Sequence, residues 1–268
     1  LRIEEKELGE RHAELVSTLV ALAAAHEAVH DLPAATAAAE RALALQERAA
    51  GAHDPSLVAL LWMLSRVRYD ARDTVGAEQL LRRALEIEEA SLGPSDPEVA
   101  RTAQMLGRLA LEQSRPERAA PLLARAVEIF RQAGGPDDAR QIEPLSVLVH
   151  AQVATGALHQ ARRSLERLIA LETKDAGDVH PEQAVRLNQL GVILARTGDY
   201  RASTEAYHRA LSLLERHPGA NHPVIDVIVG NLDAIAAETG KRELYAPLLG
   251  RARGLRESRS GLPPIAQA

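Results

Sequence analysis

Glycine stands at Gly9, Gly51, Gly93, Gly135, Gly177 and Gly219, always 42 residues apart and with no insertion between copies. Two further series keep the same register. One is Arg41, Arg83, Arg125, Arg167, Arg209 and Arg251; the other is Leu22, Leu64, Leu106, Leu148, Leu190 and Leu232. A period of this length marks stacked supersecondary units, none of which can bury its apolar face alone. The chain is therefore confined to an array of like units before any single residue is weighed.

One unit can be read at residues 181–216. Val185, Leu187, Leu190, Val192, Ile193 and Leu194 give a helix with a broad apolar face. Thr197-Gly198-Asp199 is a turn, and Ala206, Tyr207, Ala210, Leu211, Leu213 and Leu214 repeat the helical spacing. Each unit is thus a helix A, a turn, a helix B and a glycine-bearing loop. The A–B turn carries Gly156, Gly198 and Gly240 in the later copies but His30, Arg72 and Ser114 in the earlier ones. In the loop Leu92-Gly93-Pro94-Ser95-Asp96-Pro97, glycine ends one helix and Asp-Pro starts the next. Asp54-Pro55 has the same reading, and His180 and His222 stand in the Asp slot as weaker caps.

Composition agrees. Apolar residues make up 46% of the chain but aromatics only 2%, so the core is Ala, Leu, Val and Ile, which suits closely packed helices. The absence of Cys excludes disulfides and thiolate metal sites. A net charge of −5 argues against nucleic-acid binding, and no apolar run is long enough to span a membrane. With no signal-peptide pattern, the expected location is cytoplasmic. The excess of Arg over Lys, with abundant Ala, points to a bacterial source, and the missing initiator Met suggests a fragment or a processed form.

Leu187-Asn188-Gln189-Leu190-Gly191, Gly198-Asp199-Tyr200, Arg209-Ala210-Leu211 and the 92–97 loop together resemble the tetratricopeptide repeat (TPR) in its 42-residue, kinesin-light-chain-like form. The resemblance covers residues 1–257, with a partial repeat at 1–10, six helix pairs and about thirteen helices in all; residues 258–268 read as a flexible tail. It implies an all-α, right-handed superhelical solenoid of antiparallel helix pairs, binding proteins or peptides on a concave face lined by the A helices. The family's small residue after the recurring Leu is kept at Ala23, Ser65, Gly107 and Gly191 and replaced by Val149 and Asp233. The small residue of helix B becomes Tyr245 in the last copy, which fits a cap whose outer face meets water.

Catalysis has one tempting motif. His26-Glu27-Ala28-Val29-His30 spells the zinc-protease pattern H-E-x-x-H. The register already explains it as the end of the first A helix, Pro33 follows, and no further His offers an obvious third ligand, Glu40 and Glu47 on the following B helix being weak candidates. No catalytic residue, metal or cofactor is therefore expected. The recurring arginines read as architectural, with the stem at the helix contact and the head hydrogen-bonded.

The inward slots implied by the resemblance are more informative. They hold Trp62, Met63, Arg66 and Tyr69 in the second unit and Arg101, Gln104, Met105, Arg108 and Glu112 in the third. Later units contribute His150, Asn188, Gln189 and Asn231. The one Trp and both Met residues fall in adjacent units, beside arginines one period apart, which is the composition of a binding hot spot. The expected partner is a protein or peptide with acidic groups flanking an apolar anchor, its backbone hydrogen-bonded by Gln104, Asn188, Gln189 and Asn231. The chain thus reads as a non-catalytic scaffold. The alternative is a sensor or autoinhibitory arm of a larger bacterial ATPase or protease. Self-association through the solenoid ends is a further expectation.

Overall fold

Helices begin and end where the punctuation residues stand. The computed structural model describes residues 9, 12, 14–176, 182–216 and 223–260. Among these are twelve α-helices and no strand. Pairs of A and B helices follow in order: α1 Leu15–Ala28 with α2 Leu32–Ala50, α3 Val58–Asp70 with α4 Thr74–Leu92, and α5 Pro97–Glu112 with α6 Pro116–Gly134. Then come α7 Ile142–Ala154 with α8 Leu158–Ala176, α9 Glu182–Arg196 with α10 Tyr200–Arg216, and α11 Val224–Thr239 with α12 Arg242–Ser260. The chain divides at Pro136 into two compact units, α1–α6 and α7–α12. The last helix runs three residues past the boundary expected at 257. Residues 1–8 and 261–268, Gly177, Gly219, His180 and His222 lie outside the described residues.

The A–B turn explains a puzzle of the sequence. All six copies place one residue in the left-handed region: Gly156, Gly198 and Gly240 at φ 76°, 83° and 67°, and His30, Arg72 and Ser114 at 63°, 65° and 58°. The backbone shape is common to all copies, and the first three adopt it without glycine, against a side-chain penalty. The B helices end differently. Gly51, Gly93 and Gly135 combine φ of 101°, 91° and 87° with extended ψ, a region essentially closed to other residues. Asp54, Asp96 and Asp138 then cap the next segment, accepting from the N–H two residues on at 2.9, 2.8 and 2.9 Å.

Within a pair, the small residue lets A and B approach closely. A Cβ added at Gly107 would lie 2.6 Å from Leu123, and one at Gly191 would lie 2.6 Å from the Tyr207 ring. Polar side chains bridge the same seam. Ser65 donates to the Ala77 carbonyl at 3.2 Å in one unit, and Ser203 donates back to the Gly191 carbonyl at 2.8 Å in the other. The departures are accommodated. Val149 is buried, whereas Asp233 stays exposed and pairs with Arg253 at 2.9 Å. Tyr245 lies wholly inside, its hydroxyl 3.2 Å from Ser203.

The recurring arginines tie successive B helices together. Arg83 donates to Glu47 at 2.6 Å and to the Ala52 carbonyl at 2.7 Å. Arg125 bonds Glu89 and, at 2.9 Å, the Pro94 carbonyl; Arg251 bonds Glu215 at 2.8 Å. Arg167 meets the side chain of Gln141 instead.

Two substitutions test these constraints in equilibrium denaturation. Gly107→Ala overpacks the α5–α6 contact and costs about 1–3 kcal/mol. Ser114→Gly relieves the left-handed turn and stabilises by roughly 0.5–1 kcal/mol, the gain being limited by glycine's freedom in the unfolded chain.

Candidate functional site

Residues 62, 66 and 69 of α3, and 101, 105, 108 and 112 of α5, follow helical i, i+4, i+7 spacing, so each set forms one stripe. The two A-helix stripes face a common cleft of about 400 Å³ in the first unit. Trp62, Met63, Arg66 and Tyr69 form one wall, and Arg101, Met105, Arg108 and Glu112 the other. Ala77 and Leu81 of α4 supply an apolar floor with Leu109, beside Ser65.

Trp62 is held from both sides. Its indole N–H donates to the buried Thr102 hydroxyl at 3.0 Å, and the Arg101 guanidinium lies over the ring at 5.0 Å. Arg101 also bonds Glu98 at 3.2 Å, and Arg66 bonds Glu27 of α1 at 2.7 Å. The Arg101–Glu98 pair is solvated, and such a pair contributes at most about 1 kcal/mol, whereas Glu27 is shielded, its side chain only 15% exposed. At the other end, a hydrogen bond to Glu112, followed by desolvation, holds the Tyr69 phenol above the usual tyrosine range.

Behind the tryptophan lies a buried acid. Glu88 of α4 is 2% exposed and is hydrogen-bonded to Thr102. Burial pushes its carboxyl up to about 7, the Thr102 bond opposing that rise only in part.

Eight of the inward residues expected from the sequence therefore meet in one cleft. Gln104 is on α5 but does not line it. His150, Asn188 and Asn231 belong to the second unit, on α7, α9 and α11. There Asn231 donates to the buried Asn188 at 3.0 Å, so part of the amide capacity expected for a peptide backbone is spent within the protein. Desolvation, then the charge of Arg186, holds the His150 imidazole below the ordinary histidine value. A separate depression of about 340 Å³ between α8, α9 and α10 carries His208, Arg209 and Arg216 and none of the expected residues.

The H-E-x-x-H segment does not keep its helical spacing. Helix α1 stops at Ala28, His30 occupies the left-handed turn, and His26 lies 3.4 Å from Asp31. Among the described residues, no group of three or more His, Asp or Glu side chains could hold a metal ion. What the sequence did not single out is the support behind Trp62, namely Thr102 and Glu88. The one available signal was chemical: a half-buried indole N–H needs an acceptor.

Comparison with known proteins agrees with this architecture. Profiles of the tetratricopeptide repeat match residues 56–132, and residues 15–56 and 184–224. No curated protein matches the sequence. Among solved structures, BtubC (BKLC) from P. vanneervenii superposes with a TM-score of 0.59 at 21% identity, covering 87% of this chain and 94% of that one. A putative kinesin light chain of nearly identical TPR-like repeats from Podosopora anserina gives 0.62 at 19% identity, covering 78% and 99%. YrrB, a TPR protein with an unusual peptide-binding site, gives 0.53 at 19% identity, covering 74% and 86%.

Glu88 makes stability depend on pH with a definite sign. Its folded pKa of about 7 lies above the unfolded value, so the folded state holds the proton more tightly. Stability is then lost as pH rises from the ordinary carboxyl range to about 7, and is constant above. Glu88→Gln removes this loss. The stability difference between variant and wild type should grow from near zero at about pH 4.5 to at most about 3 kcal/mol at pH 8, read from urea midpoints at each pH.

Proposed function

Because this chain belongs to the tetratricopeptide repeat family, we propose that it is a non-catalytic scaffold that captures a peptide segment on the A-helix face of its first unit. One observation carries the reading. The protein's single Trp and both Met residues line one cleft, with three arginines at its rim. Aromatic side chains supply contact area at low conformational cost, methionine supplies an adaptable apolar surface, and arginine supplies charge and planar hydrogen bonding. YrrB offers a parallel on the same fold, a TPR protein with a peptide-binding site.

The chemistry of the walls selects the ligand. An apolar anchor such as Leu or Phe fits between Trp62, Met63 and Met105 above the Leu81 floor. Acidic residues on either side of it replace Glu98 as the partner of Arg101 and join Glu27 at Arg66. Glu112, held by Tyr69, disfavours acid at the far end, so charge gives the bound segment a direction.

An array of synthetic peptides with Leu or Phe flanked by Asp or Glu tests this. Wild type should bind acidic-flanked peptides over their Lys-flanked counterparts. Trp62→Ala combined with Arg108→Glu should weaken binding at least about tenfold while circular dichroism stays helical. His150→Ala, in the second unit, should change affinity by less than about twofold. Equal binding by wild type and the double variant overturns the proposal.

A further inference from the structure

Among the described residues of the first unit, two acidic side chains are buried, Glu78 and Glu88. Glu78 is met by Arg82 and, at 3.3 Å, by Arg115. Among the described residues, Glu88 has no cation in contact, and its Oε2 is buried without a hydrogen-bond partner. The repeat shows how unusual this is. Two periods further along, the positions of Glu88 and Thr102 are held by Glu172 and Arg186, an ion pair at 3.2 Å. In the first unit the arginine is replaced by a threonine, and the threonine hydroxyl is what the Trp62 indole donates to.

The surroundings of Glu88 are simple. From α5 and the loop before it, Asp96, Glu98 and Arg101 face the carboxyl. Helix α3 presents Trp62 through Thr102, and Glu89 on Glu88's own helix is engaged by Arg125. Arg101 is bonded to Glu98 and lies over the indole.

We propose that Glu88 is a proton-binding positioning residue of the cleft, whose protonation state reaches Trp62 through the Thr102 hydroxyl. With Glu88 ionised, Thr102 donates its hydrogen to the carboxylate and accepts from the indole. The three groups then form a chain running in one direction, in which each bond strengthens the next. Proton uptake from solvent gives the carboxyl a hydrogen of its own to donate to the same hydroxyl oxygen. The chain loses its single direction, and the negative charge behind the indole disappears. That charge opposes the positive field of Arg101 at the rim, so its loss makes the cleft more attractive to anions. For the acidic peptide proposed above, affinity rises as pH falls through neutrality. That consequence rests on the proposed function; the coupling between Glu88 and Trp62 does not.

The coupling can be measured without a ligand. Trp62 is the only tryptophan, so the fluorescence of the full chain reports this one indole. Emission and quenching are followed from about pH 5.5 to about 8.5, with iodide as an anionic probe of the cleft field and acrylamide as a neutral control for exposure. In wild type, emission should shift with a midpoint near neutrality, and the iodide quenching constant should fall roughly twofold as pH rises, with little change for acrylamide. Glu88→Gln should flatten both. Thr102→Val should abolish the emission shift, and Thr102→Ser, which keeps the hydroxyl, should restore it. If Glu88→Gln does not fold, the Thr102 pair carries the test. Flat wild-type curves, curves identical in Glu88→Gln, or a full emission shift in Thr102→Val each overturn the inference. A persisting Trp62 titration with no binding on the peptide array overturns the proposed function alone.

Discussion

The structure depends on how closely an A helix can approach its B helix. At Gly107 and Gly191 the approach leaves no room for even a methyl group. Everything nearby follows from that contact. It brings the Ser65 and Ser203 hydroxyls onto backbone carbonyls across the seam, and it fixes the turn that joins the helices. A core poor in aromatics is the natural outcome, since small side chains and aliphatic neighbours fill so narrow a space at native density. Where the small residue is lost, the structure compensates locally. Val149 is simply buried, and Asp233 leaves the interior to pair with Arg253.

Much of this was legible from the sequence because punctuation obeys backbone sterics rather than tertiary context. Gly51, Gly93 and Gly135 occupy a region of φ and ψ essentially reserved for glycine, so their 42-residue spacing mapped directly onto helix ends. The A–B turn was harder to read. His30, Arg72 and Ser114 reach the left-handed region without the residue that usually betrays it, and only the register exposes the equivalence. Tyr245 is a large residue in a small slot, and its burial is accompanied by a hydroxyl partner at Ser203 that the sequence did not single out.

For the cleft, the inward slots implied by the family resemblance gathered Trp62, Met63, Arg66, Tyr69, Arg101, Met105, Arg108 and Glu112. Asn188, Asn231 and His150 share the same helical register but belong to the other unit, and register alone says nothing about which chain segments surround one cleft. The partners of the charged groups were also invisible. Glu27 pairs with Arg66 across 39 residues, and Thr102 meets Trp62 across 40, near one period and so unremarkable as spacings. The repeat thus separates two kinds of position. Those at the helix seam are held to a narrow set of residues, while those on the A-helix face differ from copy to copy and give each unit its own chemistry.

The arginine ties between B helices have a direction. In each, the donor belongs to the following repeat, and the acceptors, Glu47, Glu89 or Glu215, stand in the last turn of the preceding B helix. A carboxylate there opposes the helix macrodipole, and the arginine cancels that opposition. If the preceding repeat opens, it leaves behind an arginine that water solvates readily. If the following repeat opens, it leaves an uncompensated acid at a helix end, so the next helix is weakened in turn. Within each unit, opening should spread more readily from the C-terminal side than from the N-terminal side. The fastening resembles overlapping roof tiles, which lift easily from one edge only.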